Sequence, residues 1–206
     1  MNLANKITVA RMFAIPFFIF FLMSDFVPGS KWISLGIFII ASLSDMVDGK
    51  IARKYNMVSN FGKFMDPLAD KLLVCSALVC LLRLYSEQSV LFLYLVLLII
   101  ARDFVIQGFR LVASDQGVVI AAGWLGKIKT TLQMIMIGFL IGYLELPDVE
   151  PIHIICVVLE YIVAFFTVYS LFDYLYKNRY IFKDMDKGKL GGKRKEKPEN
   201  AGEDNK

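Results

Sequence analysis

Four aspartates stand in two close pairs, Asp45 and Asp48 in "SDMVDGKIAR" and Asp66 and Asp70 in "KFMDPLADK", beside runs of almost wholly apolar sequence. A charge carried into a bilayer costs about 2.5–3.5 kcal/mol on insertion scales, so four acids in one short region need a compensating partner. Helical geometry brings them together. At about 100° per residue, Asp45, Asp48, Gly49, Ala52 and Arg53 fall within an arc of roughly 140°. Gly62, Asp66 and Asp70 recur every four residues and line one stripe of the next helix. Like charges so close must either take up protons or share cations. Four carboxylates match two divalent cations in charge, and their hard oxygens suit Mg²⁺, Mn²⁺ or Ca²⁺. No His or Cys stands near enough in sequence to suggest zinc. Metal ions bound this way are commonly shared with phosphate oxygens. Gly49, Ala52 and Gly62 then leave room for a phosphorylated ligand against the backbone, and Arg53 can reach a diphosphate in a bidentate contact. Taken singly, these small residues equally suit close helix packing in a membrane.

A second group of polar residues lies further along. Arg110 in "GFRLVASDQG" and Lys127 and Lys129 in "GWLGKIKTT", with Thr130 and Thr131, fall at the ends of apolar runs on the same side as the acids. They suit either a second, phosphorylated substrate, with Arg110 as the bidentate element, or the ordinary flanking charges of membrane helices.

The elements that position these residues follow from the hydropathy. The chain has 206 residues, of which 57% are hydrophobic, and a mean hydropathy of +0.57, too apolar for an ordinary soluble domain. The apolar residues fall into six runs, 7–23, 32–52, 61–84, 90–112, 123–144 and 152–176, each near the length that spans a bilayer. The expected fold is all-α: one polytopic integral membrane domain over 1–183, with six transmembrane helices and an amphipathic N-terminal segment, "NLANKITVAR", along the interface. The tail 184–206 is rich in Gly, Lys and Glu without aromatics, a composition that predicts disorder. The first run lacks a small-x-small cleavage pattern and reads as a retained helix.

Basic residues set the orientation. Lys50, Arg53, Lys54, Lys63, Arg110, Lys127, Lys129, Lys177, Arg179 and Lys183 share one set of helix ends, against Lys31, Arg83, Glu145, Asp148 and Glu150 on the other. The positive-inside rule then places both termini and all four aspartates on the cytoplasmic side of the cell membrane. The net charge of +4 is mostly this asymmetry and gives no sign of nucleic-acid binding. Cys75, Cys80 and Cys156 have no metal-ligand spacing and read as buried small hydrophobes. His153 falls at the end away from the aspartates.

Written out, the stretch is Asp45-x-x-Asp48-Gly49-x-x-Ala52-Arg53, eight residues, then Gly62-x-x-x-Asp66-x-x-x-Asp70. Its types and spacing resemble the full signature of the CDP-alcohol phosphotransferase family. That resemblance implies a six-helix membrane enzyme, as a rule a homodimer, which uses two divalent cations (Mg²⁺ or Mn²⁺) to replace CMP on a CDP-linked molecule with an incoming hydroxyl. It makes Asp45, Asp48, Asp66 and Asp70 the metal ligands, Asp70 also the general base, and Gly49, Ala52, Arg53 and Gly62 the contacts to CDP. Within the family, "NLANKITVAR" and "GWLGKIKTTLQM" are most similar to members whose acceptor is glycerol 3-phosphate. The implied reaction joins CDP-diacylglycerol and glycerol 3-phosphate into phosphatidylglycerophosphate and CMP. Arg110, Lys127 and Lys129 would then bind the acceptor's phosphate, with Asn5, Thr8 and Arg11 near that pocket; Asn5 and Thr8 also suit a helix start. Other family members share part of the lysine–threonine segment, so an acceptor such as inositol phosphate is the alternative. From another class, a divalent-cation transporter would need its acids near mid-bilayer with a path to the far face. Position 103, in "ARD", is an aspartate where glutamate is expected in many relatives.

Overall fold

In the computed structural model the six apolar runs become six helices: α1 Leu3–Met23, α2 Ser30–Lys54, α3 Asn60–Tyr85, α4 Val90–Asp115, α5 Trp124–Glu145 and α6 Glu150–Lys177. The structure describes the backbone of residues 3–54, 60–85, 90–115 and 123–179, with the side chains of 8–44, 68–69, 71–85, 90–113 and 123–179. The expected tail, 184–206, lies outside the described residues.

Each helix buries a stripe at three- and four-residue spacing, the repeat that keeps side chains on one face of a 3.6-residue turn. On α1 the stripe is Thr8, Arg11, Ile15, Phe18 and Leu22, while Phe13, Phe17 and Phe20 face outward. The expected interfacial segment is thus continuous with the first long helix. Thr8 and Arg11 are only 1% and 4% exposed, so this polar stripe faces the bundle rather than the headgroups. On α6 the stripe is Cys156, Glu160, Val163, Thr167, Ser170 and Tyr174. Helix α3 packs against α1, α2, α4 and α5, and its Ala77, Leu78 and Leu81 are fully enclosed. The outer surface is as apolar as the core: Ile40, Tyr94, Phe104, Leu111, Phe165 and Phe172 are all well exposed. So large an apolar exterior belongs in lipid.

Among the described residues, α4, α5 and α6 are long and apolar enough to cross a membrane, over Val90–Ala113, Trp124–Glu145 and Glu150–Lys177. Helices α1 and α2 contribute shorter apolar stretches, Thr8–Met23 and Ser30–Ser44.

Contacts at the two ends fix the directions of the helices. Tyr85 at the end of α3 packs edge-on against Phe92 at the start of α4 and Tyr143 near the end of α5. Tyr143 in turn meets His153 at the start of α6. Helices α3 to α6 therefore alternate in direction, with Arg110, Trp124 and Tyr174 toward the opposite end. Helices α1 and α2 form a hairpin through a turn in which Gly29 has φ +73°, a conformation costly for residues with a Cβ. Ser30 Oγ donates to the Ser24 carbonyl at 2.7 Å, and Lys31 Nζ reaches Asp25 at 2.7 Å, closing that turn. Between α2 and α5 an apolar trough of about 500 Å³, lined by Leu35, Ile39, Leu43, Ile135, Gly138 and Phe139 among others, opens on the surface.

Candidate active site

Asp45 and Asp48 lie in the second half of α2, and Asp66 and Asp70 in the first half of α3. The two helices pack against each other and are separated by only five residues, which makes them antiparallel neighbours. Helix α3 starts at Asn60, so Pro67 falls inside it rather than in its first turn. The side chains of Asp45, Asp48, Ala52, Arg53, Asp66, Asp70 and Asn5, and the surroundings of Gly49 and Gly62, lie outside the described residues. The donor chemistry available at this end is nevertheless clear. The sole histidine, His153, packs against Tyr143 at the far end, and Cys80 and Cys156 are buried and free. Among the described residues no three His, Cys, Asp or Glu side chains group as metal ligands. Aspartate carboxylates offer only hard oxygen donors, a type that would suit Mg²⁺ or Mn²⁺ and not a soft metal.

One step deeper lies a buried ionic cluster that the sequence reading did not anticipate. Asp103 on α4, only 7% exposed, accepts three charge-assisted bonds. Lys129 Nζ of α5 reaches Oδ1 at 2.7 Å, Arg102 Nη1 reaches the same oxygen at 3.0 Å, and Lys71 Nζ of α3 reaches Oδ2 at 3.1 Å. Arg102 Nη2 continues to Ser170 Oγ of α6 at 3.0 Å, and that hydroxyl donates to the Thr167 carbonyl at 3.1 Å. Gly126 packs beside the guanidinium, where a Cβ would come into van der Waals contact with Arg102 Nη2 at 3.4 Å. Lys71 immediately follows Asp70 in the chain, so the backbone that carries this cation lies one residue, about 1.5 Å, further along α3. The signal for it was present in the sequence. Lys71, Arg102 and Asp103 are charges set in apolar runs, and the demand for partners applied to the four aspartates applies equally to them.

The residues expected to bind an acceptor phosphate do not form one group. Lys129 is fully buried and held by Asp103. Lys127 is exposed, since two residues on a helix separate side chains by about 200°. Thr130 and Thr131 turn their hydroxyls back to the carbonyls of Gly126 and Lys127, at 2.8 and 3.1 Å. Arg110 is half-buried with its guanidinium 5.6 Å from the centre of the Tyr174 ring. Among the described residues its Nε and the Tyr174 hydroxyl have no hydrogen-bond partner. Around them Ile106, Phe109, Ala113 and Leu171 make a small apolar cluster between α4 and α6. Thr8 and Arg11 lie on the buried face of α1 described above.

An all-helical bundle, outwardly apolar, with paired aspartates on two adjacent antiparallel helices, defines a class of membrane enzyme. The profile of the CDP-alcohol phosphatidyltransferase family matches residues 1–173. The chain belongs to that family. It is 40% identical over 188 residues to a CDP-diacylglycerol–glycerol-3-phosphate 3-phosphatidyltransferase of Bacillus subtilis, covering 86% of this chain and 95% of the relative. Proteins of the same name from Rickettsia bellii and Yersinia enterocolitica are 35% and 36% identical, covering 84% and 85% of this chain and 93% of each relative.

Proposed function

We propose that the chain transfers the phosphatidyl group of CDP-diacylglycerol to glycerol 3-phosphate, giving phosphatidylglycerophosphate and CMP. The observation that carries this is the near full-length similarity to relatives named for that reaction. In this reading all six helices span the cell membrane, both termini are cytoplasmic, and the active site opens on the cytoplasmic side. The enzyme works as a homodimer.

Asp45, Asp48, Asp66 and Asp70 would hold two divalent cations, Mg²⁺ or Mn²⁺, whose charge would neutralise the donor's diphosphate. Gly49, Ala52, Arg53 and Gly62 receive the CDP portion. The trough between α2 and α5 ends at Leu43, two residues before Asp45, and offers an apolar surface for an acyl chain of a donor whose diphosphate sits at the aspartates. Arg110 takes the acceptor's phosphate, with Asn5 and Thr8 from the first turns of α1 and Lys127 from the exposed start of α5. Lys129 contributes from behind Asp103 as buried positive charge. Asp70 accepts the proton of the acceptor hydroxyl as its oxygen bonds to the phosphorus bearing the diacylglycerol. The bond from that phosphorus to CMP breaks, and CMP leaves with the electron pair. Such catalysis is mostly positioning and charge compensation.

Purified protein with CDP-diacylglycerol and Mn²⁺ should release CMP with glycerol 3-phosphate and far less with serine or inositol phosphate. Release with inositol phosphate as the preferred acceptor would move the chain to another branch of the family. Metal uptake into sealed vesicles without nucleotide would point to transport.

A further inference from the structure

Asp103 fastens four helices through one carboxylate: Lys71 of α3, Arg102 beside it on α4, Lys129 of α5 and, through Arg102, Ser170 of α6. An ionic cluster inside an apolar bundle is a poor way to gain stability, because well-packed apolar groups do as well without desolvating charge. What the cluster does provide is a fixed angular setting for the helices that meet there. Helix α3 is the one for which this matters, because the residue held by Asp103 is the direct neighbour of Asp70. A side-chain atom about 6 Å from the helix axis moves roughly 1 Å for every 10° of rotation about that axis. A displacement of about 1 Å in a reacting group can cost on the order of 100-fold in rate.

We propose that Asp103 is a positioning residue for the transfer reaction. By holding Lys71 and Lys129 it sets the rotation of α3. This rests on the reading of Asp66 and Asp70 as metal ligands given above. It requires a carboxylate at 103 rather than bulk or polarity alone.

The test uses the full-length protein in detergent or nanodiscs, with Asp103→Asn, Asp103→Glu, Lys71→Gln and the double variant Asp103→Asn/Lys71→Gln. Folding is monitored by size-exclusion profile and thermal unfolding, Mn²⁺ affinity by spin-resonance titration without substrate, and turnover by CMP release. Folded Asp103→Asn should lose about 10- to 100-fold in both kcat and Mn²⁺ affinity, the range usual for groups that orient metal ligands. Its KM for glycerol 3-phosphate should stay within about threefold, because the acceptor site is not the part disturbed. Asp103→Glu should recover to within about fivefold of wild type. The double variant should be little worse than Asp103→Asn alone in turnover and Mn²⁺ affinity, since both changes break the same tie between α3 and α4.

Normal turnover and Mn²⁺ affinity in folded Asp103→Asn would overturn the proposal. So would an Asp103→Glu no better than Asp103→Asn, or losses that simply multiply in the double variant. Should Asp103→Asn fail to fold, Lys71→Gln still decides, because Asp103 keeps Lys129 and Arg102 there. Unchanged turnover in that variant refutes the idea. A wild-type protein inactive with glycerol 3-phosphate but showing these Mn²⁺ shifts would sink the acceptor assignment and leave the role of Asp103 intact.

Discussion

Replacing Arg110 with alanine should separate the two substrates. The guanidinium stands over the Tyr174 ring at 5.6 Å, half-buried, with its Nε unpartnered, a pose that leaves donors for an anion arriving from the aspartate end. A charge-assisted bond to phosphate contributes about 1.5–3 kcal/mol, so its loss should raise the KM for glycerol 3-phosphate by roughly 10- to 150-fold. The KM for CDP-diacylglycerol should move less than about twofold, because the donor is bound by other residues. Loss of the ring contact removes about 0.5–1 kcal/mol of stability, a fall in Tm of about 1–4 °C for a chain of this size. Arg110→Lys keeps the charge but not the planar fork and should fall between the two. Initial rates of CMP release, with each substrate titrated at saturation of the other, give both constants. A variant in which only the donor's KM changes would refute the placement of the acceptor phosphate at Arg110.

Further outcomes are expected. Asp70→Asn should abolish turnover in a folded protein that retains much of its Mn²⁺ binding; near-normal activity would remove Asp70 as the base. Chelation should stop CMP release, with Mg²⁺ or Mn²⁺ restoring it and Zn²⁺ failing to, as the all-oxygen donor set requires; rescue by Zn²⁺ would contradict that. Lys127→Ala should raise the KM for the acceptor about threefold, well short of the Arg110→Ala effect, because its contribution to the acceptor phosphate comes from an exposed charge screened by solvent. Lys129→Met should instead lower Tm, because it removes a buried partner of Asp103, and equal thermal stability of the two variants would contradict the buried pair. Gly29→Ala should cost about 1–2 kcal/mol of stability at its left-handed turn position with kcat unchanged, measured by thermal unfolding and CMP release.

The helices were legible because each is announced by an apolar run of the right length. The run read as 7–23 became Leu3–Met23 and that at 152–176 became Glu150–Lys177, differences of a turn or less. Helical phase was applied to the aspartates but not to the basic residues, and there the reading and the structure part. Depth alone put Lys127 and Lys129 in one pocket, yet two residues of helix turn one outward and the other into the core. The start of α1 reads as amphipathic, and an amphipathic helix fits a membrane interface as well as a bundle with a polar interior. Which polar surface receives Thr8 and Arg11 is a property of the neighbouring helices and is not written in those ten residues. Averaged hydropathy hid Lys71, Arg102 and Asp103, because single charges barely alter the mean of a long apolar run.

The three-to-one arrangement around Asp103 also constrains how this sequence can drift. Any one of the cations can be lost while the acid keeps two others, so such changes are individually survivable. Loss of the acid first leaves Lys129 and Arg102 buried without their shared counter-charge, and that step is severe. Lineages that abandon the cluster must therefore shed their basic residues before the aspartate. The order of replacement, and not merely the identity of the replacements, is written into the geometry.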